Sequence, residues 1–181
     1  MIFAHDTEAA LVSAAGLVNT SGRQGERLGD VAALDAFLTR HGWTGLREGT
    51  HAELEAVRAL RPTLRRLWEV DEDELVEIVN GLLRESSALP QLVRHDGWPY
   101  HLHATPADAP LATRMAVEAA MAFVDVVREG ELDRLRICGM DDCDHVVVDL
   151  SRNRSKRYCD AGCGNRAAVT AYRARKAAQP A

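Results

Sequence analysis

Four cysteines, spaced Cys138-x4-Cys143 and Cys159-x3-Cys163 with fifteen residues between the pairs, are the tightest constraint in this 181-residue sequence. Each short loop brings two thiolates to one point. Two such pairs separated by about fifteen to twenty residues meet the demand of a tetrahedral four-cysteine zinc site. Zinc is redox-silent, so the role expected of it is structural. Disulfides, a redox pair or an iron–sulfur cluster are the other readings of the spacing. The opening residues, Met-Ile-Phe-Ala-His-Asp-Thr-Glu, carry no basic and apolar leader, and the cytoplasmic location expected on that ground disfavours disulfides. Asp142 and His145 flank Cys143 and read as neighbours of the site rather than ligands.

Charge divides the chain at the same place. The net charge of −5 splits into −10 over residues 1–133 and +5 over residues 134–181, and all four cysteines fall in the basic part. An asymmetry of this kind points to a nucleic-acid-binding segment joined to a different domain. No apolar run reaches the 18 or more residues of a membrane span, which excludes integral membrane proteins.

Residues 1–133 read as a helical domain. Leu11, Ala14, Ala15 and Val18 form the buried stripe of a first helix over about 6–19. Asp30 is placed to cap a second, and Thr50 with Glu53 forms a capping box for a third. Pro62 predicts a kink or break in that third helix before Leu64. Asp71 opens a fourth helix, a β-hairpin is expected about Asp96-Gly97 with strands near Leu92-Val93 and Trp98–His103, and a central core helix over about 109–129 is closed by Gly130. His5, Asp6, Glu8, His51, His95 and the alternating His101-x-His103 read as ordinary surface or half-buried residues; the alternative is a metal or acid–base site, since alternation puts His101 and His103 on one face of a strand, a spacing that metal sites use. Asn19 is the one weak candidate for a ligand-pocket residue, its alternative role being to satisfy loop backbone.

Residues 134–181 read as a treble-clef-like module: His145–Asp149 a strand, Ser151–Ser155 a turn, and a final helix over about 164–176. On that helix Arg166, Thr170 and Arg173 share one face, with Val169 and Tyr172 expected toward the zinc-side core. Arg152, Arg154, Lys156 and Arg157 in the turn suit phosphates, and helix arginines suit phosphate or guanine edges. The expected fold class is therefore mainly α (α+β), a helical domain with a small hairpin followed by a four-cysteine finger ending in a helix.

Cys163-Gly-Asn-Arg166, with Val148–Cys159 before it and Ala171–Lys176 after it, closely resembles the CGNR zinc-finger family of bacteria. Members carry an N-terminal helical domain called ABATE, which the segments Leu17-Val-Asn-Thr20, Leu34–Trp43 and Leu60-Arg61 resemble. The resemblance implies a stress-induced transcriptional regulator whose finger binds DNA, with Cys138, Cys143, Cys159 and Cys163 as ligands of a structural Zn2+ and Asn165 and Arg166 as signature residues. The sequence departs from the family pattern at Ala167-Ala168, where a basic residue is common, and at Leu60-Arg-Pro-Thr63, where a Leu-Arg-Glu-Ala type of run is usual.

Together these features predict a DNA-binding regulator contacting DNA through Arg152, Arg154, Lys156, Arg157, Asn165, Arg166, Arg173 and Lys176. Its helical domain would sense a small-molecule effector or partner, and a homodimer is compatible with it. A zinc-stabilised protein-interaction or RNA-binding adaptor is the alternative. No nucleophile elbow, metalloprotease motif, Walker loop or dinucleotide fingerprint occurs, so no catalytic residue and no enzymatic role is expected.

Overall fold

The computed structural model describes residues 2–23, 25–95, 97 and 99–178. The expected turn residue Asp96, the strand residue Trp98 and the tail Gln179–Ala181 lie outside them. In chain order the elements are α1 (His5–Val18), α2 (Val31–Arg40), α3 (His51–Arg66), α4 (Glu72–Glu85), β1 (Gln91–Val93), β2 (His101–His103), α5 (Leu111–Arg128), β3 (Leu135–Ile137), β4 (Val146–Val148) and α6 (Cys163–Ala177). Among the described residues no helix is long and apolar enough to cross a membrane.

The caps follow the sequence. Asp30 accepts a hydrogen bond from Ala33 N at 2.8 Å, Thr50 Oγ1 from Glu53 N at 3.1 Å, and Asp71 from Glu74 N at 3.0 Å. Each satisfies one of the backbone donors that a helix start leaves without a partner. Glu53 does not turn back to Thr50; its buried carboxylate accepts from Glu48 N, Gly49 N and Arg47 Nε. Those bonds outweigh the upward push of burial and hold its pKa below the ordinary carboxylate value.

Pro62 does not break α3, which runs continuously to Arg66. Proline removes the N–H that would bond the carbonyl four residues back. That carbonyl belongs to Arg58, and the Arg61 side chain donates to it from Nε at 3.2 Å. Local side-chain chemistry thus replaces the missing backbone donor.

Helix α5 is the hub, packed by α1, α3 and α4, with α2 against α3. Phe123 on α5 is fully buried and meets Trp68 edge-on at 5.0 Å between ring centroids. The two sheets are antiparallel pairs, β1 with β2 (Val93 opposite His101) and β3 with β4 (Ile137 opposite Val146). The short charged stretch before Cys138 therefore supplies strand β3, and the loop carrying Cys138 and Cys143 joins it to β4.

Alternation along β4 gives it two apolar faces. Val146 and Val148 belong to the large helical core, while Val147 packs in a separate cluster with Cys138, Cys143, Cys159 and Cys163. One three-residue strand is the shared wall of the helical body and the cysteine module.

Candidate metal centre and basic helix

The four cysteines are buried and unbridged, and their sulfurs lie within 4.8 Å of one another. Cys143 Sγ is 3.7 Å from Cys159 Sγ, which is 3.5 Å from Cys163 Sγ. A tetrahedral ion with Zn–S bonds of about 2.3 Å separates its sulfurs by about 3.8 Å. The donor set and spacing therefore fit zinc, and the spacing is far too long for disulfides, which need about 2.05 Å. Backbone supports the cluster: Cys159 N lies 3.4 Å from Cys138 Sγ, and Gly139 N donates to Arg157 O at 2.8 Å. Burial pushes the Cys159 and Cys143 thiols up, which disfavours bare thiolates there, whereas a cation would stabilise them.

Arg166 completes the centre from α6. Its guanidinium is bidentate to Asp142, at 2.6 and 3.1 Å, and Nη2 also donates to Cys163 Sγ at 3.1 Å. That hydrogen bond draws the Cys163 thiol below its ordinary value, and the same guanidinium lowers Asp142. A four-thiolate zinc site carries net negative charge, so a guanidinium on one sulfur offsets it and locks the knuckle to the helix. Arg166, expected on a DNA contact face, bonds Asp142 and Cys163 while its side chain stays exposed.

The loop after β4 is built on Asp149, which is fully buried. Its carboxylate accepts from Ser151 N at 2.9 Å, Lys156 N at 2.8 Å and the Ser151 hydroxyl. Burial alone would raise its pKa; these bonds and Arg136 leave it below the ordinary value. Arg134, also buried, donates to the Asp149 and Ser151 carbonyls at 2.8 and 3.0 Å. Of the loop cations, Arg154 pairs with Glu131 at 2.9 Å and Lys156 with Asp160 at 3.1 Å. Arg152 and Arg157 are exposed and form no ion pair among the described residues.

Helix α6 has one buried residue, Cys163. Its Ala167, Thr170, Ala171 and Ala174 line a groove against the Gly139–Asp142 knuckle. At 100° per residue the opposite face bears Asn165, Val169, Tyr172 and Lys176, with Arg173 at its edge. Two expectations are corrected here. Thr170 lies on the knuckle side rather than the open stripe, and Val169 and Tyr172 are 48% and 60% exposed rather than packed toward the zinc.

Asn19 binds backbone. Its side chain donates to Val146 O at 2.9 Å and accepts from Val146 N at 2.8 Å, pairing with β4 as a further strand would. Trp68 Nε1 donates to Val147 O at 3.1 Å, and Arg65 to Asp144 O at 2.8 Å. Arg23 N donates to the Asp144 carboxylate at 3.1 Å; a Cβ at neighbouring Gly22 would stand 2.8 Å from that carboxylate, too close for any side chain without displacement. These anchors span about 80 to 127 positions, so the sequence offered no local signal for them.

Comparison with known families agrees with this architecture. The ABATE family model, described as "Putative stress-induced transcription regulator", matches residues 12–130, and the CGNR zinc-finger model matches residues 134–176. No match is found among curated proteins.

Proposed function

We propose, because the chain belongs to the ABATE family and carries a CGNR zinc finger, that it is a transcriptional regulator that grips DNA through α6 and the loop before it. Cys138, Cys143, Cys159 and Cys163 would hold the structural zinc, and residues 1–133 would sense an effector or partner. The observation that carries the reading is the exposure of α6: a helix tethered through Cys163 and Arg166 that buries no other residue and turns Asn165, Arg173 and Lys176 outward. From Leu150 to Lys176 eight Lys/Arg stand against a single acid, Asp160. The contact set narrows to Arg152, Arg157, Asn165, Arg173 and Lys176, because Arg154, Lys156 and Arg166 already have acidic partners. Phosphate contacts would come from the loop and helix cations, base contacts from Asn165 and from Tyr172 and Val169 against thymine methyls. The acidic helical body repels the duplex, which leaves the C-terminal side to approach it.

A protein or RNA partner is the second reading, favoured by the exposed Val169 and Tyr172. Selection of the zinc-loaded full chain on a random duplex pool, with sequencing of the bound fraction, separates them. A recovered motif is expected. Absence of duplex binding at low salt would contradict the DNA reading.

A further inference from the structure

Away from the cysteines, three histidines converge on one point. The β2 alternation places His101 and His103 on the same face, and the hairpin brings His95 from just beyond β1 to meet them. Their Nε2 atoms are 3.0 Å (His101–His103), 3.0 Å (His95–His103) and 3.3 Å (His95–His101) apart. With all three rings neutral, hydrogen bonds do not account for every side of this triangle. His101 Nδ1 sits 2.8 Å from Pro99 O, and His103 Nδ1 sits 3.3 Å from a Glu118 carboxylate oxygen. Both partners only accept, so both Nδ1 atoms carry the proton, and in the neutral rings both Nε2 atoms present lone pairs to each other at 3.0 Å. Two lone pairs at that distance repel unless a proton or a metal ion lies between them, and one point facing all three Nε2 atoms is where a metal ion fits.

We propose that His95, His101 and His103 form a second metal site, for a divalent transition-metal ion of the zinc type, with a fourth position left for water or a small donor ligand. Imidazole suits such ions, and tetrahedral Zn–N bonds of about 2.0–2.1 Å place their nitrogens about 3.3 Å apart. The outer contacts match as well: ligating histidines characteristically donate the other ring N–H to a carbonyl or carboxylate, the roles Pro99 O and Glu118 fill here. All three rings line a cavity of about 680 Å³ bounded by α1, the loop after α2, the β1–β2 hairpin and α5. Asp6 on α1 fixes the hairpin by accepting from Leu102 N at 3.1 Å. Three protein ligands beside a roomy cavity are the arrangement of an open metal site, in contrast to the closed four-thiolate one.

The test is the zinc stoichiometry of the full chain after equilibration with excess Zn2+ and gel filtration, compared between wild type and variants. His103→Ala and His95→Ala are each expected to bind one equivalent fewer than wild type. His95 is exposed, so its replacement leaves the fold intact, checked by unchanged circular dichroism. Glu118→Gln, a positioning variant, is expected to keep the full stoichiometry at saturation while weakening that equivalent about 10–100-fold. The same zinc content and affinity in wild type and both histidine variants would overturn the proposal. Because the readout is a difference, it stands apart from both the cysteine site and DNA binding.

Discussion

Replacing Asn19 by alanine tests whether the cysteine module is fastened to the helical body. The side chain holds both the N–H and the C=O of Val146, at 2.8 and 2.9 Å, and Val146 is 1% exposed. A buried backbone group left without a partner costs about 1–3 kcal/mol. Two such groups, with some water entering because Asn19 itself is half-buried, give an expected loss of about 2–4 kcal/mol. Asn19→Asp keeps the acceptor for Val146 N but sets an oxygen against Val146 O, so it should be no better than alanine. The assay is urea unfolding of the zinc-loaded chain followed by circular dichroism. A loss below about 0.5 kcal/mol for Asn19→Ala, the range of unimportant surface changes, would refute the reasoning.

Arg166→Ala should leave the helical body folded and lower zinc affinity about 10–100-fold, as measured by competition with a chromophoric chelator; unchanged affinity would show that the Cys163 contact is incidental. Glu26 is held at about 2 chiefly by the Arg61 guanidinium, which grips both carboxylate oxygens at 2.7 and 2.8 Å. With a folded pKa depressed below the unfolded one, its contribution is complete above about pH 4.5 and is lost as pH falls toward 2. Because the carboxylate is 37% exposed, solvent screening reduces that contribution to about 1 kcal/mol. Wild type should therefore lose about half that much more stability than Glu26→Gln between pH 5 and pH 3 in urea titrations, and most of the rest by pH 2; parallel curves would discount the pair.

What the sequence made legible was local. Asp30, Thr50 and Asp71 cap helices within three residues of themselves, and the cysteine pairs carry their geometry in their spacing. Pro62 misled because the Arg61 side chain supplies the missing donor, a substitution that periodicity does not register. Strand β3 has only three residues and is recognisable only once β4 pairs with it. Arg166 looked like a free basic residue because its partner Asp142 lies 24 positions away and meets it only when the knuckle closes on α6. His101 and His103 showed their alternation, but the third histidine reaches them through the hairpin fold and the proton-accepting Glu118 through α5, neither of which leaves a fixed spacing.

The central claim, that exposed cations of the C-terminal module grip DNA, is tested most directly by the salt dependence of duplex binding by the zinc-loaded chain. Four phosphate contacts, from Arg152, Arg157, Arg173 and Lys176, predict a slope of log K against log salt of about −3.6, falling to about −1.8 in Arg152→Ala/Arg157→Ala. A slope that is the same in wild type and variant, or binding indifferent to salt, would contradict it.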